Sequence, residues 1–154
     1  MSPAISPPEL HVLQALHEDW QTVGALVSEI GAFQKEALRQ DEVGTLVVRL
    51  CARLYALSRV ETELLYPCLD PCAALESGQK MHEQLMGDVQ GLLDAVVVQD
   101  RFDNSIELLA DRARSLRRFE YEEIYPRCVQ TDVDAIGKQL AHRRNQLLES
   151  FNTE

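Results

Sequence analysis

The sequence predicts an all-α protein, an up-and-down antiparallel four-helix bundle with an additional C-terminal helix. Three observations carry this prediction. Apolar residues recur at three- and four-residue intervals through four long segments, the spacing of helices that each bury one face. Glycine and proline are few, 7 and 6 among 154 residues, and the prolines fall at breaks between the segments. The connections are short, which favours antiparallel neighbours. A hydrophobic content of 45% suits one domain with one core over residues 1–154, the bundle spanning about 8–128 and the closing helix about 132–151.

Ser6-Pro7-Pro8-Glu9 opens the first helix: Ser6 can cap, Pro7 suits the first helical position, and Glu9 completes a capping box. Leu10, Leu13, Leu16, Trp20, Val23, Val27 and Ile30 then form its apolar stripe, with His17 inside it. The second helix is expected after Gln40-Asp41. Its stripe runs from Val43 through Leu46, Val47, Leu50, Leu54 and Leu57 to Leu64 and Leu65, and Glu61 falls within it. Pro67 is expected to stop this helix, and Pro67 to Gly78 reads as a loop.

The third helix is expected over Gln79 to Val98, with Leu85, Val89, Leu92 and Val96 in register and His82 on the same stripe. Gln99 to Asn104 reads as a polar turn. The fourth helix carries Ile106, Leu109, Ala113, Leu116 and Ile124 on one face, with Glu120 among them, and Pro126 is expected to end it. A last amphipathic segment, Asp132 to Phe151, is expected to pack across the side or end of the bundle.

A formal charge of −10 disfavours binding to phosphate backbones. Arg112, Arg114, Arg117 and Arg118 form the one basic cluster, read as a solvated helix face. No apolar run reaches the roughly 18–20 residues of a membrane span, and the opening residues lack the basic and apolar regions of a signal peptide. A soluble cytoplasmic protein is expected. Cys51, Cys68, Cys72 and Cys128 are too few for a disulfide scaffold. Cys68, Cys72 and Cys128 should lie near one end of the bundle, read as reduced thiols rather than a second metal or redox site.

Each main helix thus places one ionisable residue on its apolar face: His17, Glu61, His82 and Glu120. Glutamate is almost never fully buried unless it is paired or binds a metal. Four such residues, one per helix, point to a common site. The chain also repeats itself. Leu57-Ser58-Arg59-Val60-Glu61-Thr62-Glu63-Leu64-Leu65-Tyr66-Pro67 matches Leu116-Arg117-Arg118-Phe119-Glu120-Tyr121-Glu122-Glu123-Ile124-Tyr125-Pro126, and each copy is preceded by a His-Glu pair, His17-Glu18 and His82-Glu83. Two helical hairpins related by a pseudo-twofold axis would bring the four residues together.

These residues and their order resemble the hemerythrin-like, HHE cation-binding domain family over about residues 8–150. In that family helices one and three each give a histidine, and helices two and four each give a His-x-x-x-Glu motif followed by an acidic and aromatic stretch ending in proline. His17 and His82 are similar to the lone histidines, and Glu61 and Glu120, with their Tyr-Pro endings, to the two motifs. Ala135 to Arg144 resembles the family's closing helix. The departure is symmetric: Leu57 and Leu116 stand where the family has the histidine four residues before each glutamate. The resemblance implies a non-heme iron site, mono- or dinuclear, used for oxygen or redox sensing or for iron handling.

Imidazole and carboxylate together suit iron, manganese or zinc, and Glu123 is a candidate extra ligand. The competing expectation is a metal-free bundle that serves as a protein-interaction or regulatory module, with two buried His–Glu pairs and leucines filling the vacated space. An oxidase or peroxidase ranks behind both, since no catalytic residue or substrate pocket is apparent. His11 and His142 read as solvated, Trp20 and Phe33 as core, and Tyr66 and Tyr125 as packing residues with a hydrogen-bonded hydroxyl. Val97 and Val98 are candidates for a homodimer surface.

Overall fold

A computed structural model describes residues 7–34, 40–97, 103–129 and 134–152. Ser6, Val98, most of the turn at 99–104, Val133, and the side chains of Leu10, His11 and Val97 lie outside that description. The protein is all-α: among the described residues every regular element is helical and none is a strand. The helices are α1 (Pro7–Gln34), α2 (Gln40–Val60), α3 (Ala73–Val97), α4 (Asp103–Phe119), α5 (Tyr125–Val129) and α6 (Asp134–Asn152). No described helix is long and apolar enough to cross a membrane.

Two short π-helical segments interrupt the expected pattern. Glu61–Leu65 follows α2 directly and Glu120–Ile124 follows α4 directly, so both begin on the glutamate of the repeated motif. Each is closed by a wide i→i+5 bond, from Tyr66 N–H to Glu61 O and from Tyr125 N–H to Glu120 O. Such π turns recur at functional positions in helices.

The widened turns also change what the prolines do. Pro67 lies one residue before the helical path ends, in a last 3-10 turn, Tyr66–Cys68, after which Leu69 is extended; past Pro126 the path continues as α5, Tyr125–Val129. Each proline stands in the first turn of its new segment, where a missing N–H has no intrahelical partner to lose. The expected loop from Pro67 to Gly78 is shorter too, because α3 begins at Ala73.

Neighbours in sequence pack together: α1 on α2, α2 on α3 and α3 on α4, with α6 against α1 and α2. One hydrophobic cluster runs through them, including Leu16, Trp20, Ile30, Leu50, Leu54, Leu85, Leu92, Leu109 and Ile124. Val48 and Leu108 are the large apolar side chains left exposed among the described residues. Two of the four arginines of the basic cluster pair with acidic neighbours, Arg112 with Asp88 and Arg114 with Asp111.

Charge fixes α6 onto the rest. Arg144 Nη1 donates to Asp19 Oδ1 at 3.1 Å, and Arg143 Nε donates to Glu63 Oε1 at 3.0 Å. Asp19 is buried, and burial raises its carboxyl above the usual range although Arg144 and Arg53 pull against it. Arg53 alone reaches it only at 3.9 Å. Arg144→Ala should therefore strand a buried carboxylate and cost about 1–3 kcal/mol. Thermal unfolding should show a fall of about 2–4 °C per kcal/mol for a chain of this size. The double variant with Asp19→Asn should recover much of the loss, and an unchanged melting temperature for Arg144→Ala would contradict the clamp.

Candidate metal centre

Glu61, His82 and Glu120 converge in the interior. Both carboxylates are 0% exposed and the imidazole 2%. One ligand atom from each lies within 4.8 Å of the others. His82 Nε2 is 3.1 Å from Glu120 Oε2 and 3.9 Å from Glu61 Oε2. The other imidazole nitrogen, Nδ1, is 2.8 Å from Ser58 Oγ. That bond holds the ring with Nε2 facing the carboxylates, the way a metal-ligating histidine is oriented from behind.

Two tyrosines clasp the pair, and they do so crosswise. Tyr66 hydroxyl donates to Glu120 Oε2 at 2.8 Å, and Tyr125 hydroxyl donates to Glu61 Oε1 at 3.1 Å. Each tyrosine stands five residues after the glutamate of its own motif. The π turn makes this possible. Glu123, three after Glu120, is carried away from the centre and is exposed, against the expectation that it reaches in; Tyr125 comes onto the inner face instead.

His17 does not join the group. It is half-buried, and its Nδ1 is hydrogen-bonded to the Tyr121 hydroxyl. The two halves differ at the positions that decide this. His82 has Ser58 behind it, whereas the matching residue of the other copy is Arg117, whose guanidinium lies 5.4 Å over the Tyr121 ring. Tyr121 replaces Thr62 and offers His17 a partner. Trp20 replaces Leu85 one turn beyond the histidine, and its Nε1 donates to Tyr125 Oη at 2.8 Å. Ser58 and Tyr121 carried no signal by themselves in the sequence; their signal is the failure of the repeat at those positions.

The electrostatics follow from burial. Desolvation pushes the Glu61 carboxyl well above its usual range, and the neighbouring charge of Glu120 adds to this. Burial also opposes ionisation of Glu120, but hydrogen bonds from Glu61, His82 and Tyr66 outweigh it and hold that carboxyl below its usual range. Without an ion the pair therefore keeps one proton, on Glu61. Among the described residues Glu61 Oε2 is a buried oxygen with no hydrogen-bond partner. Two carboxylates, an imidazole aimed inward and an unpartnered buried oxygen are a donor set that fits a divalent cation. Leu57 and Leu116, each four residues before its glutamate, are 2% and 1% exposed and belong to the apolar core.

The chain matches no protein-family profile, no curated protein and no solved structure.

The cysteines are free thiols. Burial pushes Cys51 and Cys128 up to about 12, which leaves them protonated and unreactive. Tyr66 and Tyr125 are likewise raised by burial and by the nearby carboxylates, so they remain phenols.

Two expectations follow. Because the folded-state value of Glu61 lies above the unfolded glutamate value of about 4.3, the native chain holds a proton that the unfolded chain gives up. Metal-free stability should therefore fall as pH rises from that value through the folded one. Glu61→Gln should flatten this slope in denaturant titrations with chelator present; an equal slope in the variant would refute the assignment. The second concerns Gly78, where an added Cβ would lie 2.6 Å from Tyr66 Oη. Helical Gly→Ala normally stabilises by up to about 1 kcal/mol, and Gly87→Ala and Gly91→Ala, with nothing within 4 Å, should do so. Gly78→Ala should instead destabilise, read by the same denaturant midpoints.

Proposed function

We propose that this chain is a hemerythrin-like metal-binding protein, an up-and-down four-helix bundle with a closing helix, that holds non-heme iron through Glu61, His82 and Glu120. Manganese and zinc suit the same donors. The observation that carries the reading is Glu61 Oε2, a fully buried oxygen left without a hydrogen-bond partner and 3.9 Å from His82 Nε2. A carboxylate oxygen in that condition is costly unless a proton or a cation satisfies it. The partners behind each donor support the reading as well: Ser58 behind His82, Tyr66 on Glu120 and Tyr125 on Glu61.

The resemblance names His17 as a further ligand. Here it is engaged with Tyr121, so three protein ligands leave coordination positions for water or a small molecule such as oxygen. Such an open site suits oxygen or redox sensing, or iron handling, in the cytoplasm. The chain's own contribution is to bring the donors together, to exclude bulk water around them, and to move the Glu61 proton out when a cation enters.

A second reading is favoured by one observation. Leu57 and Leu116 pack at the two vacated ligand positions, as they would in a metal-free bundle that keeps the fold to contact another protein. There the Glu61 proton replaces the ion.

Elemental analysis after expression with iron supplied separates the two. The first reading expects at least ~0.5 metal ion per chain, since three or four protein ligands make a stable site. It also expects release of about one proton per ion bound, because ligands must be deprotonated. Glu61→Gln and Glu120→Gln should each abolish binding. Absence of metal, with no thermal shift on adding iron(II), manganese(II) or zinc(II), would falsify the first reading and leave the second.

A further inference from the structure

A cavity of about 230 Å³ opens between α1 and α4, and none of Glu61, His82 and Glu120 lines it. Trp20, Val23, Val27 and Ala113 give it apolar walls, and Arg114 and Arg117 give it charge. Trp20, Val23 and Ala113 belong to the buried core. A dry apolar cavity of about 150 Å³ already admits benzene, so this one has room for an aromatic ring with a short substituent.

Arg117 decides what that substituent is. The sequence reads it as part of a solvated face, but the structure half-buries it. Its guanidinium carbon lies 5.4 Å over the Tyr121 ring. Its Nη1 would be 3.9 Å from a Cβ added at Gly24, so the group reaches from α4 to α1 beside the cavity. Arg112 and Arg114, on the same helix, pair with Asp88 and Asp111. Among the described residues no carboxylate pairs with Arg117, although the chain carries 25 acidic residues against 15 basic ones. Withdrawing a guanidinium from water costs free energy unless an anion meets it, and the Tyr121 ring recovers a part of that cost. The planar fork of arginine takes a carboxylate through two parallel N–H···O bonds. One unpaired cation at an apolar cavity calls for one negative charge on an apolar body.

We propose that the cavity between α1 and α4 binds a small aromatic monocarboxylate, its ring against Trp20 and its carboxylate on Arg117. Aromatic pairs gain more than their buried area alone supplies, which favours a ring over an alkyl chain beside the indole. The site goes beyond the metal reading and stands whether or not the centre holds an ion. It is nonetheless joined to the centre: Trp20 Nε1 donates to Tyr125 Oη, and Tyr125 donates to Glu61 Oε1.

Trp20 is the one tryptophan of the chain, so its emission reports on the cavity directly. The metal-free chain is titrated with sodium phenylacetate at constant ionic strength, followed by Trp20 emission and by calorimetry. A saturable change should appear with a Kd of about 1 mM or tighter, the scale for a ligand of this size. Acetate, which lacks the ring, and phenethylammonium, which reverses the charge, should not bind in that range. Benzyl alcohol should bind roughly 10-fold or more weakly than phenylacetate, the worth of a hydrogen bond to a charged group. Arg117→Met should lower phenylacetate affinity by the same factor and leave benzyl alcohol affinity unchanged. Arg117→Lys, which keeps the charge and loses the fork, should fall between. Gly24→Leu should fill the cavity and abolish binding of both ligands, and leucine is the better helix former, so α1 should keep its fold. Arg118→Met, exposed on the same helix and outside the cavity, should change nothing.

Absence of a saturable signal by both methods overturns the proposal. So do equal affinities for phenylacetate and benzyl alcohol, equal phenylacetate affinities in wild type and Arg117→Met, and binding that survives Gly24→Leu. All are read without metal, so none bears on whether the centre binds an ion, which elemental analysis decides separately.

Discussion

Two glutamates fully withdrawn from water and facing one another across the helices set the terms for the rest of the interior. A lone buried carboxylate is costly, and two close together repel. The surrounding structure answers this cost in an ordered way. Tyr66 and Tyr125 each donate a hydroxyl to the glutamate of the opposite motif, His82 faces both, and Ser58 keeps His82 turned inward. Gly78 is without a side chain where Tyr66 must pass. What remains unanswered is a single oxygen, Glu61 Oε2, and that remainder gives the centre its capacity for a proton or a cation.

The π segments convert a repeated sequence into a reciprocal geometry. Each begins on its glutamate and ends at the tyrosine that follows. A regular α-helix would bring the residue three or four positions on to the inner face. The wide turn brings Tyr66 and Tyr125 there beside the buried Leu65 and Ile124, while Glu63, Glu122 and Glu123 face solvent. The same turn lets Pro126 stand inside a continuing helical path and Pro67 in the closing 3-10 turn of its own. A rare local geometry, used twice at the same point of the repeat, is thus tied directly to the positions of the donors.

The two halves are alike in backbone and unlike in chemistry. One histidine is held inside by Ser58; the other rests on Tyr121, under Arg117 and beside the Tyr125 ring that Trp20 anchors. The asymmetry divides labour between the halves. One supplies the imidazole of the centre. The other carries the Trp20–Tyr125 and His17–Tyr121 hydrogen bonds beside it.

Helical periodicity in the sequence was enough for the all-α class and for most of the core, because apolar burial demands a stripe with period near 3.6 and little else. It was also enough to pick out Glu61, His82 and Glu120, since an ionisable residue on such a stripe must meet a partner. The Tyr-Pro endings were visible as a repeat, but their reach across to the opposite glutamate was not. That reach depends on the π turns, whose i→i+5 bonds leave no compositional mark. Tertiary structure alone decided that His17 turns to Tyr121 rather than inward, that Glu123 faces water, and that α3 starts at Ala73. Those outcomes turn on which neighbours stand within a few ångströms, and residues as far apart in sequence as Trp20 and Tyr125 become neighbours only when the helices pack.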